Sequence, residues 1–169
     1  GSQSTFFMSE AQRKIYEDEL PETAKANTHI LSSLFDDDFF ARINLLNEKY
    51  ESEPRDNKWI VLGSNSWVKG ALQSENWCKE NDLDHEVIFG VEYDQFLKRL
   101  AQAKGLCAMP TGYDTCPRLV IEAKLLGCAL QTNENVQHRD EEWFNKSNDE
   151  IIKYLKTRKD YFWMHAFNG

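Results

Sequence analysis

At 169 residues the chain has room for one domain with a substantial core. Its 28 acidic and 20 basic residues give a formal charge of −8, which argues against nucleic acid or an anionic membrane as a partner. Any bound phosphate must be held by a local cluster of groups, and no apolar run approaches the roughly 20 residues that a membrane span needs.

In chain order, Thr5–Met8 reads as a short apolar strand. Ser9 is placed to cap a helix, with Gln12 at the capping-box position, and Pro21 stops that helix after about Leu20. His29–Leu31 is a second short strand. Asp36–Tyr50 is an amphipathic helix, because Phe39, Phe40, Ile43, Leu46 and Tyr50 recur at helical spacing. Glu51–Lys58 is a charged linker containing Pro54. Trp59–Leu62 is a buried type of strand ending at Gly63, and Val68–Asn81 is expected to be helical. Glu86–Phe89 is a strand ending at Gly90, and Tyr93–Ala103 a helix. Leu106–Met109 is a strand, followed by a loop and a helix from about Cys116 to Leu126. Ala129–Thr132 is the last strand. Asp149–Trp163 is the last helix, with Ile151, Ile152, Tyr154, Leu155 and Tyr161 as its apolar stripe.

Six short strands, each followed by a helix or a long crossover, predict an α/β domain of three layers. The sheet is mostly parallel, with helices on both faces. Ligands in such sheets sit beyond the carboxyl ends of the strands. The loops there are Gly63–Lys69, Gly90–Tyr93 and Pro110–Thr115, and they carry the glycines and polar groups.

The most informative of these loops leads from Met109 to Gly127. Seven residues separate Asp114, before the helix, from Glu122, in its second turn. Thr115 suits the N-cap, Pro117 the first turn and Gly127 the C-terminal closure. A helix N-terminus after a parallel strand favours anions, and a carboxylate one turn in can meet the hydroxyls of whatever carries the anion. Each signal also has a plainer explanation. Arg118 and Glu122 fit an i, i+4 ion pair, Asp114 a loop residue that supports the cap, and Lys69 an exposed lysine in a turn. Tyr93 fits a core aromatic at a helix start, and His138 a surface or supporting residue. Cys78, Cys107, Cys116 and Cys128 form no Cys-x-x-Cys pair, so free thiols in the reducing cytoplasm are expected. The histidines show no metal spacing, and no metal site is expected.

Taken together, the segments resemble the C-terminal, nucleotide-sugar-binding domain of retaining GT-B glycosyltransferases of the glycosyl transferases group 1 type. The resemblance covers roughly residues 58–145 and, more loosely, the whole chain. WIVLG followed by VKG is similar to the family's strand-glycine segment and its Lys-Gly. EVIFGVEYDQFLKRLAQAKGLCAMP is similar to its apolar strand, glycine, acidic-aromatic helix start and strand-then-proline run. GYDTCPRLVIEAKLLGCAL resembles its glutamate–seven–glutamate motif. The fold implied is Rossmann-like, one half of a GT-B architecture.

The resemblance implies roles for particular residues. Asp114 and Glu122 would be the catalytic carboxylates, the first facing the donor sugar and the second binding ribose hydroxyls. Lys69, with Gly70, would hold the donor diphosphate, together with the helix start at Thr115, Cys116, Pro117, Arg118 and Leu119. Gly63 and Ser64 would border the donor, and Val91 and Tyr93 its base. Three departures stand out: aspartate replaces the family's first glutamate, Ser64 replaces an arginine, and Thr115-Cys116-Pro117 replaces Pro-Phe-Gly.

The activity implied is metal-independent transfer of a hexose from a nucleoside diphosphate sugar (UDP or GDP type) to a hydroxyl acceptor, with retention and no cofactor. Residues 1–169 would form the donor-binding domain. Residues 146–169 would be a helix crossing back to an N-terminal domain outside these residues, without which the chain is expected to transfer nothing. A non-catalytic nucleotide-binding or assembly module of the same type is the alternative. A receiver-like domain would want an acidic cluster where Met8-Ser9 stands, and a dinucleotide oxidoreductase a Gly-x-Gly-x-x-Gly that is absent.

Overall fold

The computed structural model describes residues 4–20, 27–114 and 117–167. Six strands and six helices alternate along them: β1 Thr5–Phe7, α1 Glu10–Glu19, β2 Thr28–Ile30, α2 Asp37–Tyr50, β3 Trp59–Leu62, α3 Ala71–Glu80, β4 His85–Ile88, α4 Tyr93–Gln102, β5 Gly105–Ala108, α5 Arg118–Leu125, β6 Ala129–Thr132 and α6 Asn148–Phe167. Every strand pair is parallel, as an alternating βα chain demands. The strands divide into a four-stranded sheet, ordered β4-β3-β5-β6, and a two-stranded sheet of β1 and β2.

The layers follow from the period-two alternation of the strands. Ile60, Ile88 and Leu106 face one side and join Phe39, Phe40 and Ile43 of α2, Leu97 and Leu100 of α4, Ile121 and Leu125 of α5, and Ile151 and Leu155 of α6. Trp59, Val61 and Cys107 face the other side, where Cys78 of α3 closes a smaller core. Each of these aliphatic side chains is worth about 1.5–3 kcal/mol once removed from water. The three-layer, Rossmann-like arrangement expected from the pattern is therefore present.

Several element ends differ from the sequence expectation, for local reasons. Ser9 does cap α1: its Oγ accepts from the Gln12 N–H at 3.0 Å, while the Gln12 side chain accepts from Met8 N–H at 2.8 Å. Asp36 caps α2 through Phe39 N–H at 2.8 Å. The stretch expected as one helix from Val68 to Asn81 is broken. Trp67–Lys69 is a single 3₁₀ turn, Gly70 takes a left-handed φ of 65°, and only then does α3 begin. Pro117 precedes α5 with a ψ of 69° outside the helical range, so that helix starts at Arg118. Gly127 closes it at φ 79°. The expected cap Thr115, Cys116 and the stop at Pro21 lie outside the described residues.

α6 joins the two sheets. Its first half packs Ile151 and Leu155 into the main core, and Tyr154 stacks on Trp143. Its second half lies on the small sheet, where Phe162 meets Phe6 and His165 meets His29. Among the described residues no helix is long and apolar enough to cross a membrane.

Candidate functional site

The strand order fixes where a ligand can enter. From β3 the chain moves outward to β4, then crosses back through α4 to β5 and continues to β6. The helices after β3 and β5 therefore cover opposite faces of the sheet. Such a switch point opens a crevice at the carboxyl ends of the strands. A cavity of about 260 Å³ lies there, lined by Leu62, Lys69, Ser74, Asp114, Arg118 and neighbouring residues.

Backbone and buried polar contacts hold its walls. Gly70 passes so close to β5 that a Cβ on it would lie 1.8 Å from the Met109 carbonyl oxygen. The buried Ser74 hydroxyl donates to the Gly70 carbonyl at 2.8 Å and accepts from Met109 N–H at 2.9 Å. Thr111 donates its N–H to Val68 O at 3.1 Å and its hydroxyl to Trp67 O at 2.7 Å, which joins the two loops. Asn133 and Asn135 both donate to Pro110 O at 2.9 Å. Asp114 is held from the same side, its N–H donating to Asn135 O at 2.9 Å.

Across this crevice Lys69 Nζ meets Asp114 Oδ2 at 3.0 Å. The lysine thus has a partner, and that partner is the carboxylate singled out by the spacing. Behind Asp114 stands His138, fully buried. Its Nε2 lies 3.2 Å from Met8 O, so this nitrogen carries the proton and donates. Its Nδ1 has no partner among the described residues. Burial pushes the imidazole down to about 4, against the opposing pull of Met8 O and the Asp114 charge.

A second cavity of about 280 Å³ adjoins α5, lined by Asp36, Asp38, Phe39, Arg42, Tyr93, Arg118 and Glu122. Glu122 is only 5% exposed. Tyr93 donates its hydroxyl to Glu122 Oε1 at 2.9 Å, and Arg118 Nε stands 4.0 Å from the same oxygen. Burial raises the Glu122 carboxyl above the ordinary glutamate value, and the Tyr93 hydrogen bond and the Arg118 charge partly offset it. Burial, and then the Glu122 charge, push the Tyr93 hydroxyl up in turn. Arg118 also lies over the Phe35 ring at 4.5 Å, and Arg42 over Tyr93 at 5.7 Å.

Arg118 lines both cavities. The site therefore runs from the buried Glu122 and Tyr93, past one guanidinium, to Lys69 and Asp114. A wider hollow of about 450 Å³ lies at the opposite, amino end of the strands. Its one guanidinium, Arg99, is already engaged by Glu86 at 2.8 Å and Asp56 at 2.9 Å.

Of the residues expected from sequence, Lys69, Asp114, Pro117, Arg118 and Leu119 converge on the first cavity, and Tyr93, Arg118 and Glu122 on the second. Gly70 supports the first through its backbone. Gly63 and Ser64 line neither. Gly63 packs β3 against β4, its N–H donating to Ile88 O at 2.7 Å, and Ser64 accepts from Ser66 N–H at 3.1 Å in a local turn. Val91 is exposed and also lines neither cavity. Ser74, Arg42, Asp36 and the buried state of His138 were missed. Among the described residues no three His, Cys, Asp or Glu side chains are arranged to hold a metal ion. No family model and no curated protein matches this chain.

Proposed function

We propose that the described residues form the donor half of a retaining glycosyltransferase of GT-B type, which binds a nucleoside diphosphate sugar and presents it to a hydroxyl acceptor. The observation that carries this reading is the pair of adjoining cavities joined at Arg118. A nucleoside diphosphate sugar has the same order of parts: a diol, two phosphates, then a sugar. Glu122 accepts hydrogen bonds from the ribose hydroxyls, replacing the one Tyr93 now gives. Arg118, Lys69 and the amino end of α5 face the diphosphate, where negative charge grows as the glycosidic bond to phosphate breaks. Asp114 faces the sugar.

The facing wall of the cleft and the acceptor come from a further domain, in the same or another polypeptide. The rim of exposed side chains around the strand ends (Trp67, Phe89, Val91 and Tyr113) suits a surface that another wall covers. A thermal-shift panel of UDP, GDP, ADP and NAD tests the reading. Stabilisation by a nucleoside diphosphate, abolished in Glu122→Ala, supports it; stabilisation by NAD alone rejects it.

A further inference from the structure

We infer that Trp67 is the platform on which the transferred sugar ring stacks, and so a specificity-determining residue; this rests on the nucleotide-sugar reading above. Trp67 is 74% exposed and Tyr113 63%, and the backbone that carries the indole is fixed. A Cβ on Gly112 would stand 3.8 and 3.9 Å from Cη2 and Cζ3 of the indole, so the outer edge of its six-membered ring runs beside a residue without a side chain. Thr111, the residue before that glycine, clasps the Trp67 carbonyl at 2.7 Å. Most of the ring is open to solvent. An aromatic side chain has only two torsions to fix, so covering it with a ligand costs little ordering entropy.

Position decides which ring it takes. Trp67 is two residues from Lys69, and Tyr113 is next to Asp114, the ion-paired groups at one end of the site. Glu122 and Tyr93 lie at the other end, beyond Arg118. A diol on Glu122 fixes the nucleobase at that far end, because base and ribose hydroxyls share one furanose. Phosphates on Arg118 and Lys69 then leave the next ring, the sugar, beside Trp67. The apolar C–H face of a pyranose packs on an aromatic face, while its equatorial hydroxyls reach a carboxylate such as Asp114. Asp114 is one methylene shorter than glutamate, and the indole supplies the contact area that this shorter side chain cannot.

The experiment is a ¹H–¹⁵N NMR titration following the Trp67 indole Nε1–H, assigned by its loss in Trp67→Phe. UDP, GDP and ADP are compared with UDP-glucose, GDP-mannose and ADP-glucose, and affinities are measured by calorimetry. The sugar-bearing form of the base that binds is expected to move the Trp67 signal, and the bare diphosphate to leave it in place. Trp67→Ala is expected to weaken the sugar-bearing ligand about threefold to tenfold and to leave the bare diphosphate unchanged. Equal losses for both ligands, or none, overturn the platform while the donor reading stands. If no nucleotide binds the wild-type chain, the donor reading falls. The platform, which rests on that reading, falls with it.

Discussion

A methyl group on Gly70 would collide with the Met109 carbonyl at 1.8 Å, and its φ of 65° is one that side chains resist. Gly90 has nearly the same torsion, φ 68°, but nothing within 4 Å of the place a Cβ would take. The two glycines separate backbone strain from crowding. Gly70→Ala is expected to cost roughly 3 kcal/mol or more, and Gly90→Ala about 1 kcal/mol, by urea denaturation. Equal costs would show that Met109 yields. His138 gives a pH dependence. Its folded value, about 4, lies below the ordinary 6.5, so on falling pH the unfolded chain takes up a proton that the folded chain refuses. The stabilisation is complete above pH 6.5 and is lost as pH falls towards 4, by about 3 kcal/mol in all. The wild type is expected to show this slope and His138→Gln to lack it; parallel stability-versus-pH curves would reject it. Glu122 has the opposite sign. Its folded carboxyl is raised, so its ionised form opposes folding at neutral pH and that cost is relieved as pH falls. Glu122→Gln is therefore expected to raise the thermal midpoint at pH 7 while weakening nucleotide binding, as buried functional charges do. Lys69, Asp114 and Glu122 were legible because residue type and spacing marked them. Ser74, Arg42 and the depth of His138 were not, since the Met109 contact of Ser74, the Tyr93 contact of Arg42 and the Met8 contact of His138 lie far away in sequence.

At the scale of elements, the strands and long helices were legible because each carries its own hydrophobic period. The errors fell where one residue overrides a period. Gly70 interrupts the apolar pattern of Val68–Asn81 without changing it, since the pattern records which face is buried and not whether the helix is continuous. Arg55 lies in a charged linker that predicts nothing, yet it ties two helix ends together. Its Nη1 donates to Leu100 O at 3.2 Å and Ala103 O at 2.7 Å, at the carboxyl end of α4, and its Nη2 donates to Leu126 O at the end of α5. Carbonyls in a last turn lack the i+4 N–H of a helix interior, although Leu100 O also accepts from the Ala103 N–H at 3.3 Å, and a cation there complements the helix dipoles. Arg55→Met keeps the aliphatic stem and removes the donors. It is expected to cost about 1–3 kcal/mol and to speed amide exchange in the last turns of both helices. A loss confined to one helix would mean that the clasp acts on that helix alone.

For the whole molecule, the alternation of strand and helix predicted parallel layers but did not divide the strands between two sheets, because pairing is a long-range choice that short apolar runs leave open. The division has a mechanical consequence. A two-stranded sheet of three-residue strands buries little by itself and is marginal without support. Its support comes from two places. On one side Ser9 donates to Gln137 Oε1 at 2.5 Å, Glu10 N–H donates to Glu141 at 2.8 Å, and Met8 accepts from His138. On the other, Phe162, Tyr161 and His165 of α6 cover Phe6 and His29. Burial, and then the charge of His165, lower the His29 imidazole below its ordinary value. Its contribution is accordingly present above pH 6.5 and lost as pH falls, when a charge placed on the His29 ring would lie 4.2 Å from the ring of His165. Native-state hydrogen exchange should find the amides of β1 and β2 opening at lower free energy than those of β3 and β5, and the gap should widen below pH 6.5. His29→Phe should remove most of that widening by keeping a ring against Phe6 without a charge. Exchange of the two sheets in one cooperative step, at every pH, would instead mean that α6 binds them into a single folding unit. The tie through His138 would then carry acid sensitivity from the small sheet straight to the loop that holds Asp114.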